Sequence, residues 1–158
     1  MFQNPDVRNL TDASGRTKVS GVTVHRLLMR SAVSVLEMYH DFRKQFPKLT
    51  RAADAKHLQI WGSVDDDTAY VWFESLAATI NDQMVDEKQR TDIASVFTYF
   101  QGQLRAGSHE VENCIEVSLI ENLFWEVKPS FATSVWPQLP KSMQRLYLNF
   151  HGRPPTQE

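Results

Sequence analysis

Apolar side chains recur along this chain at three- and four-residue intervals, and no strong two-residue alternation interrupts them. That spacing belongs to helices that each bury one stripe, not to half-buried strands. Val24, Leu28, Val35, Tyr39, Phe42 and Phe46 form a first stripe, with Arg26, Arg30, Glu37, Asp41 and Lys44 on the other side. They predict a long amphipathic helix that starts at Val22 and stops at Pro47, because a residue ahead of proline avoids the helical region. Residues 48–64 fit either a short helix or an irregular segment that tucks Trp61 into the core. Asp65-Asp66-Asp67 then reads as a helix start, since carboxylates cap free N–H groups and complement the positive end of the dipole. Trp72, Phe73, Leu76, Ala77, Ile80 and Met84 follow as a buried stripe.

A further helix is expected from near Asp86, with Ile93, Val96, Phe97, Phe100 and Leu104 inward and Gly107 as its stop. Only Met84-Val85 would separate it from the preceding helix, giving an antiparallel hairpin. Ser108 is placed to cap the next one, with Glu110 and Glu112 in its first turn. Apolar residues surround most of that segment, which predicts a hydrophobic central helix near 109–127, ended by Lys128-Pro129. Ser130 can cap a short helix, the two prolines of Trp136–Pro140 impose a bend, and Met143, Leu146, Tyr147 and Phe150 mark a last helix. Trp125 and Trp136 are both assigned to the core. The expectation is an all-α, single-domain, compact bundle of about five to seven helices. Residues 1–21 would form a flexible or loosely docked arm, 22–153 the helical domain and 154–158 a tail.

Composition narrows the classes of function. The 158 residues carry a net charge of −2, but residues 1–64 are net +5, residues 65–126 net −10 and residues 127–158 net +3. Cys114 is the only cysteine, so no internal disulfide and no thiolate zinc cage can form, which suits a reducing cytoplasm. No apolar stretch reaches the roughly 20 residues a membrane span needs, and the first residues lack the pattern of a signal peptide. The six glycines build no phosphate-cradling loop. Glu37 and His40 stand three apart on a helix, but the second such pair that a di-iron bundle requires is missing. Serine, histidine and aspartate are present without a serine elbow, and Cys114 falls at a core position. No catalytic, metal or cofactor residue is assigned, and the chain reads as a binding protein rather than an enzyme. A pI near 6.2 argues against a nucleic-acid binder.

Three segments carry a resemblance. Val111-Glu112-Asn113-Cys114-Ile115-Glu116-Val117-Ser118-Leu119-Ile120-Glu121-Asn122-Leu123, Val71-Trp72-Phe73-Glu74-Ser75-Leu76 and Phe46-Pro47-Lys48-Leu49 are similar to patterns in a family of small all-helical bacterial proteins. Members of that family are regarded as immunity proteins of polymorphic toxin systems. The resemblance spans most of residues 30–128, while the N-terminal arm and the proline-rich C-terminus depart from it. It implies a cytoplasmic antidote that binds and occludes a cognate protein toxin. The acidic Asp65, Asp66, Asp67, Asp82, Asp86, Glu87, Glu110, Glu112 and Glu116 would then face a basic toxin cleft. On that expectation, reversing Asp82, Asp86 and Glu87 slows association. The alternative is a non-catalytic adaptor that binds an ordinary cellular protein in an apolar groove.

Overall fold

The computed structural model describes residues 33–86, 88, 90 and 93–157. The fold is all-helical, with seven α-helices among those residues. They are α1 (Val35–Gln45), α2 (Pro47–Trp61), α3 (Ala69–Val85), α4 (Ile93–Ala106), α5 (His109–Cys114), α6 (Pro129–Val135) and α7 (Lys141–His151). A 3-10 turn at Asp66–Thr68 leads into α3, and another at Trp136–Gln138 follows α6.

Local chemistry sets the breaks between helices. Ser34 is extended (φ −85°, ψ 163°), and its hydroxyl accepts the Glu37 N–H at 3.1 Å while the Glu37 carboxylate accepts the Ser34 N–H at 2.9 Å. This reciprocal cap starts α1 at Val35, so the predicted helix does not run unbroken across Ser34. Its stretch over 22–32, and the arm before it, lie outside the described residues. Pro47 ends α1 as expected and also opens α2, where a missing N–H costs nothing. Residues 47–61 thus resolve as one full helix. Gly62, at φ 78°, closes it. Asp65 and Thr68 form a second reciprocal cap ahead of α3. Asp86, where the next helix was expected to begin, is extended, and that helix is described from Ile93 to Ala106. Pro129 rather than Ser130 opens α6.

The core forms around α3, whose Trp72, Phe73, Leu76, Ala77, Ile80 and Met84 are sealed from solvent. Phe42 of α1 stacks on Phe100 of α4 at 5.5 Å and meets Trp72 edge-on at 5.8 Å. Such pairs add about 1 kcal/mol each beyond the burial of their area. A second aromatic group joins Phe124, Trp136 and Tyr147, with ring centroids 5.4–6.1 Å apart.

The segment predicted as a central helix near 109–127 is buried as expected, but its winding changes. After Cys114 the chain takes wider turns over Ile115–Ile120, with the Glu121 N–H donating to Glu116 O at 3.0 Å, five residues back. Helical winding stops there rather than at 127. Phe124 (φ 65°) and Glu126 (φ 56°) then occupy the left-handed region, which costs a non-glycine residue about 1–2 kcal/mol.

Candidate functional site

Two surface features stand apart from the packed core. The first is the corner between α2 and α3. Leu49, Thr50, Ala53 and His57 form the buried stripe of α2. Ile60 and Trp61, three and four residues after His57, continue that stripe at helical spacing. Yet Ile60 is 68% exposed and Trp61 47%, so the last turn of α2 projects past the core it was patterned to cover. Trp61 stacks on the buried His57 ring at 6.1 Å, and Leu58 is also exposed. Of the two expectations for residues 48–64 the helix holds, and Trp61 is not tucked into the core because the core ends one turn before it.

Asp65, Asp66 and Asp67 follow in the link that leads into α3, all exposed. Hydrogen bonds from the Ser63 hydroxyl and then from backbone amides hold Asp65 below the usual carboxylate range. Asp66 lies 3.1 Å from His40 Nε2, an ion pair only when that ring is protonated. On α1, Arg43 makes a two-pronged bond to Asp54 at 2.7 and 2.9 Å, and on α2, Lys56 reaches Asp82 in the last part of α3 at 2.7 Å. The end of α2 and the link to α3 thus expose apolar side chains first and carboxylates after them.

The remaining predicted acidic residues do not join it in one face. Asp82 and Asp86 sit at the far end of α3, ~24 Å along the helix from Asp66 by the helical rise. Asp86 accepts the Lys88 N–H at 3.1 Å. Glu110 and Glu112 lie in the first turn of α5, where Glu112 is 3.9 Å from His109, and Glu116 is half-buried. Glu87 lies outside the described residues. An acidic residue that the sequence reading passed over, Glu74, is half-buried on α3. Burial, and then the charge of Glu121, raise its carboxyl above the ordinary value.

The second feature is the turn after the wide helix. Phe124 points inward while Trp125, between the two left-handed residues, is 69% exposed, against the assignment of Trp125 to the core. Asn81 of α3 clamps this turn: its carbonyl accepts the Phe124 N–H at 2.8 Å and its amide donates to Asn122 O at 2.9 Å. A cleft of about 310 Å³ opens beside it, walled by Phe124, Val127, Tyr147, His151 and Arg153. Phe150, expected on the core stripe of the last helix, is half exposed, whereas Trp136 packs against the core.

The groups that could do chemistry are enclosed or engaged. Burial pushes the Cys114 thiol up to about 12, in keeping with an inert core thiol. Ser75 Oγ and His57 Nδ1 share a 2.9 Å hydrogen bond, but both residues are sealed in the core. The nearby Asp54 is held by Arg43 and by the Trp72 indole N–H at 2.8 Å. Glu37 closes the cap of α1 and His40 faces Asp66, so the two do not converge on a metal. No group of three or more His, Cys, Asp or Glu among the described residues is arranged to hold one. No described helix is long and apolar enough to cross a membrane.

Fold and surface together define an all-helical domain with exposed apolar side chains at the end of α2 and exposed carboxylates in the link to α3. Residues 39–152 match DUF7674, a domain of unknown function, and the chain belongs to that family. No curated protein and no solved structure matches it.

Proposed function

We propose that this protein is a binding domain of the immunity type, which neutralises a basic protein toxin by covering its active cleft. The observation that carries the reading is the end of α2, where Ile60 and Trp61 extend a core stripe into solvent, with three exposed carboxylates following in the link to α3. A large apolar side chain in water forgoes about 1.5–3 kcal/mol that burial returns. An exposed tryptophan with apolar neighbours suits the centre of an interface, and charged residues suit its rim. Carboxylates suit a cleft built for a polyanionic substrate, and their field speeds encounter with it. A second copy of this chain fits poorly. In a two-fold dimer the residues near the axis meet themselves, which would set Asp66 and Asp67 against their own copies.

The test pairs growth with affinity. A small basic protein retained by this chain should arrest growth when expressed alone and be harmless when co-expressed. Trp61→Ala should weaken that complex by at least about 2 kcal/mol, roughly 30-fold in Kd by calorimetry. A retained partner that is harmless alone would refute the antidote role, while an unchanged Kd would refute the corner.

A further inference from the structure

His57 is sealed in the core with only part of its hydrogen bonding met. Nδ1 shares a 2.9 Å hydrogen bond with the Ser75 hydroxyl of α3, while Nε2 is buried with no partner. A neutral ring fits this setting, because one nitrogen carries a proton and the other only a lone pair. A protonated ring does not, since both nitrogens then donate and Ser75 can accept only one of the two bonds. The charged groups that act on the ring are Asp54 on its own helix and Asp65 in the link to α3. Both are committed elsewhere: Asp54 to Arg43 and the Trp72 indole, Asp65 to its cap with Thr68. Burial outweighs their attraction and lowers the His57 pKa. The half-exposed Trp61 indole lies against the same ring at 6.1 Å, with the two planes 26° apart. Trp61 belongs to the last turn of α2, where Leu58 and Ile60 are exposed too and the closing bond runs from the Gly62 N–H to Leu58 O at 3.0 Å. A helix end with so little buried opens at far lower cost than the core.

We propose that His57 is a proton-operated latch on the end of α2: the neutral ring seats Trp61, and the protonated ring releases the turn from Leu58 to Trp61. A proton from water adds to the bare ring nitrogen, and no covalent bond breaks. The second N–H so created has no acceptor in the core, so the charged ring is stable only where water reaches it. Displacing the last turn of α2 opens that route with little loss, whereas α3, which carries Ser75, is the centre of the core. The face of Trp61 attracts a cation, but that pull does not supply the missing acceptor. One consequence rests on the reading of this turn as the partner surface. Ile60 and Trp61 are the apolar side chains offered there, so a partner held by them is released as pH falls through the His57 value and recaptured above it.

The experiment is an NMR titration of the ¹⁵N-labelled full chain from about pH 7.5 to 5, with no partner present. The Trp61 indole is assigned through Trp61→Phe and the His57 ring through His57→Gln. The Trp61 indole and the amides of residues 58–62 should move with the midpoint of the His57 ring. Across it the Gly62 amide should lose at least about 10-fold of its protection from hydrogen exchange. The Trp136 indole, in the second aromatic group, should stay in place, which separates a local release from unfolding of the chain. His57→Gln should abolish the transition, while His40→Gln, which removes the ring facing Asp66, should keep it. Ser75→Ala serves as a second variant. It should move the midpoint up, because a released ring loses the Ser75 bond only from its neutral, seated form. A charged ring that stayed inside would lose the stronger bond and move the midpoint down. Read in the free chain, the latch and the partner surface stand or fall separately. The proposal is overturned if His57 titrates while Trp61 and Gly62 stay unchanged, if they move only together with Trp136, if His57→Gln leaves the transition in place, or if Ser75→Ala moves the midpoint down.

Discussion

Two residues set the character of the surface and of the core, Asn81 and His57. Asn81 is a core-side residue whose amide serves a turn 41 and 43 positions away. It holds Phe124 and Glu126 in a conformation that neither would choose. Asn81→Ala should leave the Phe124 N–H and the Asn122 carbonyl without partners and cost about 2 kcal/mol or more in urea unfolding. The same variant should quench the ordering of Trp125, read as a loss of dispersion in its indole signal. His57 is buried neutral, and burial lowers its pKa. Protons then bind the unfolded chain in preference, so the stability it supports is complete above the unfolded value near 6.5 and falls as pH drops from there toward the folded value. Urea midpoints from pH 7.5 down to 5 should show that decline, and His57→Gln should flatten it.

Helix boundaries were legible where a cap or a proline marks them. Pro47, Asp65 and Gly107 each end or start an element as their own chemistry predicts, whereas the cap at Ser34 was passed over because the apolar spacing continues across it. Gly107 adds a packing reason, because a Cβ there would lie 2.6 Å from Gln103 O and from a Val111 methyl. Gly107→Ala should therefore destabilise the α4–α5 junction by about 1–3 kcal/mol, checked by thermal and urea unfolding. The wide winding after Cys114 was not legible. No glycine or proline marks Ile115–Ile120, and left-handed backbone was carried by Phe124 and Glu126 instead of the glycine that would have announced it. Trp125 was misplaced for that reason. The exposure of Ile60 and Trp61 was not legible either: periodicity tells which way a side chain faces, not where the core behind it ends.

At the scale of the whole molecule, the charge segregation along the chain does not become a single acidic face. The length of α3 divides it, with Asp65 to Asp67 at one end and Asp82 and Asp86 at the other, and Lys56 partly offsets the second group. The expectation that reversing Asp82 and Asp86 slows association changes accordingly. Asp66→Lys with Asp67→Lys should lower the association rate and flatten its salt dependence, while reversing Asp82 and Asp86 should do so far less. Asp65 is better left in place, since it caps the turn into α3.

The account rests on the α2–α3 corner as the partner surface, and one comparison tests it most directly. The full chain and its Ile60→Asp, Trp61→Asp variant, immobilised at equal density and shown to be folded alike, are offered the same lysate of the cells that make the protein. The wild type should retain a stoichiometric basic protein at moderate salt that the variant releases. Equal retention of the same protein by both would contradict the account.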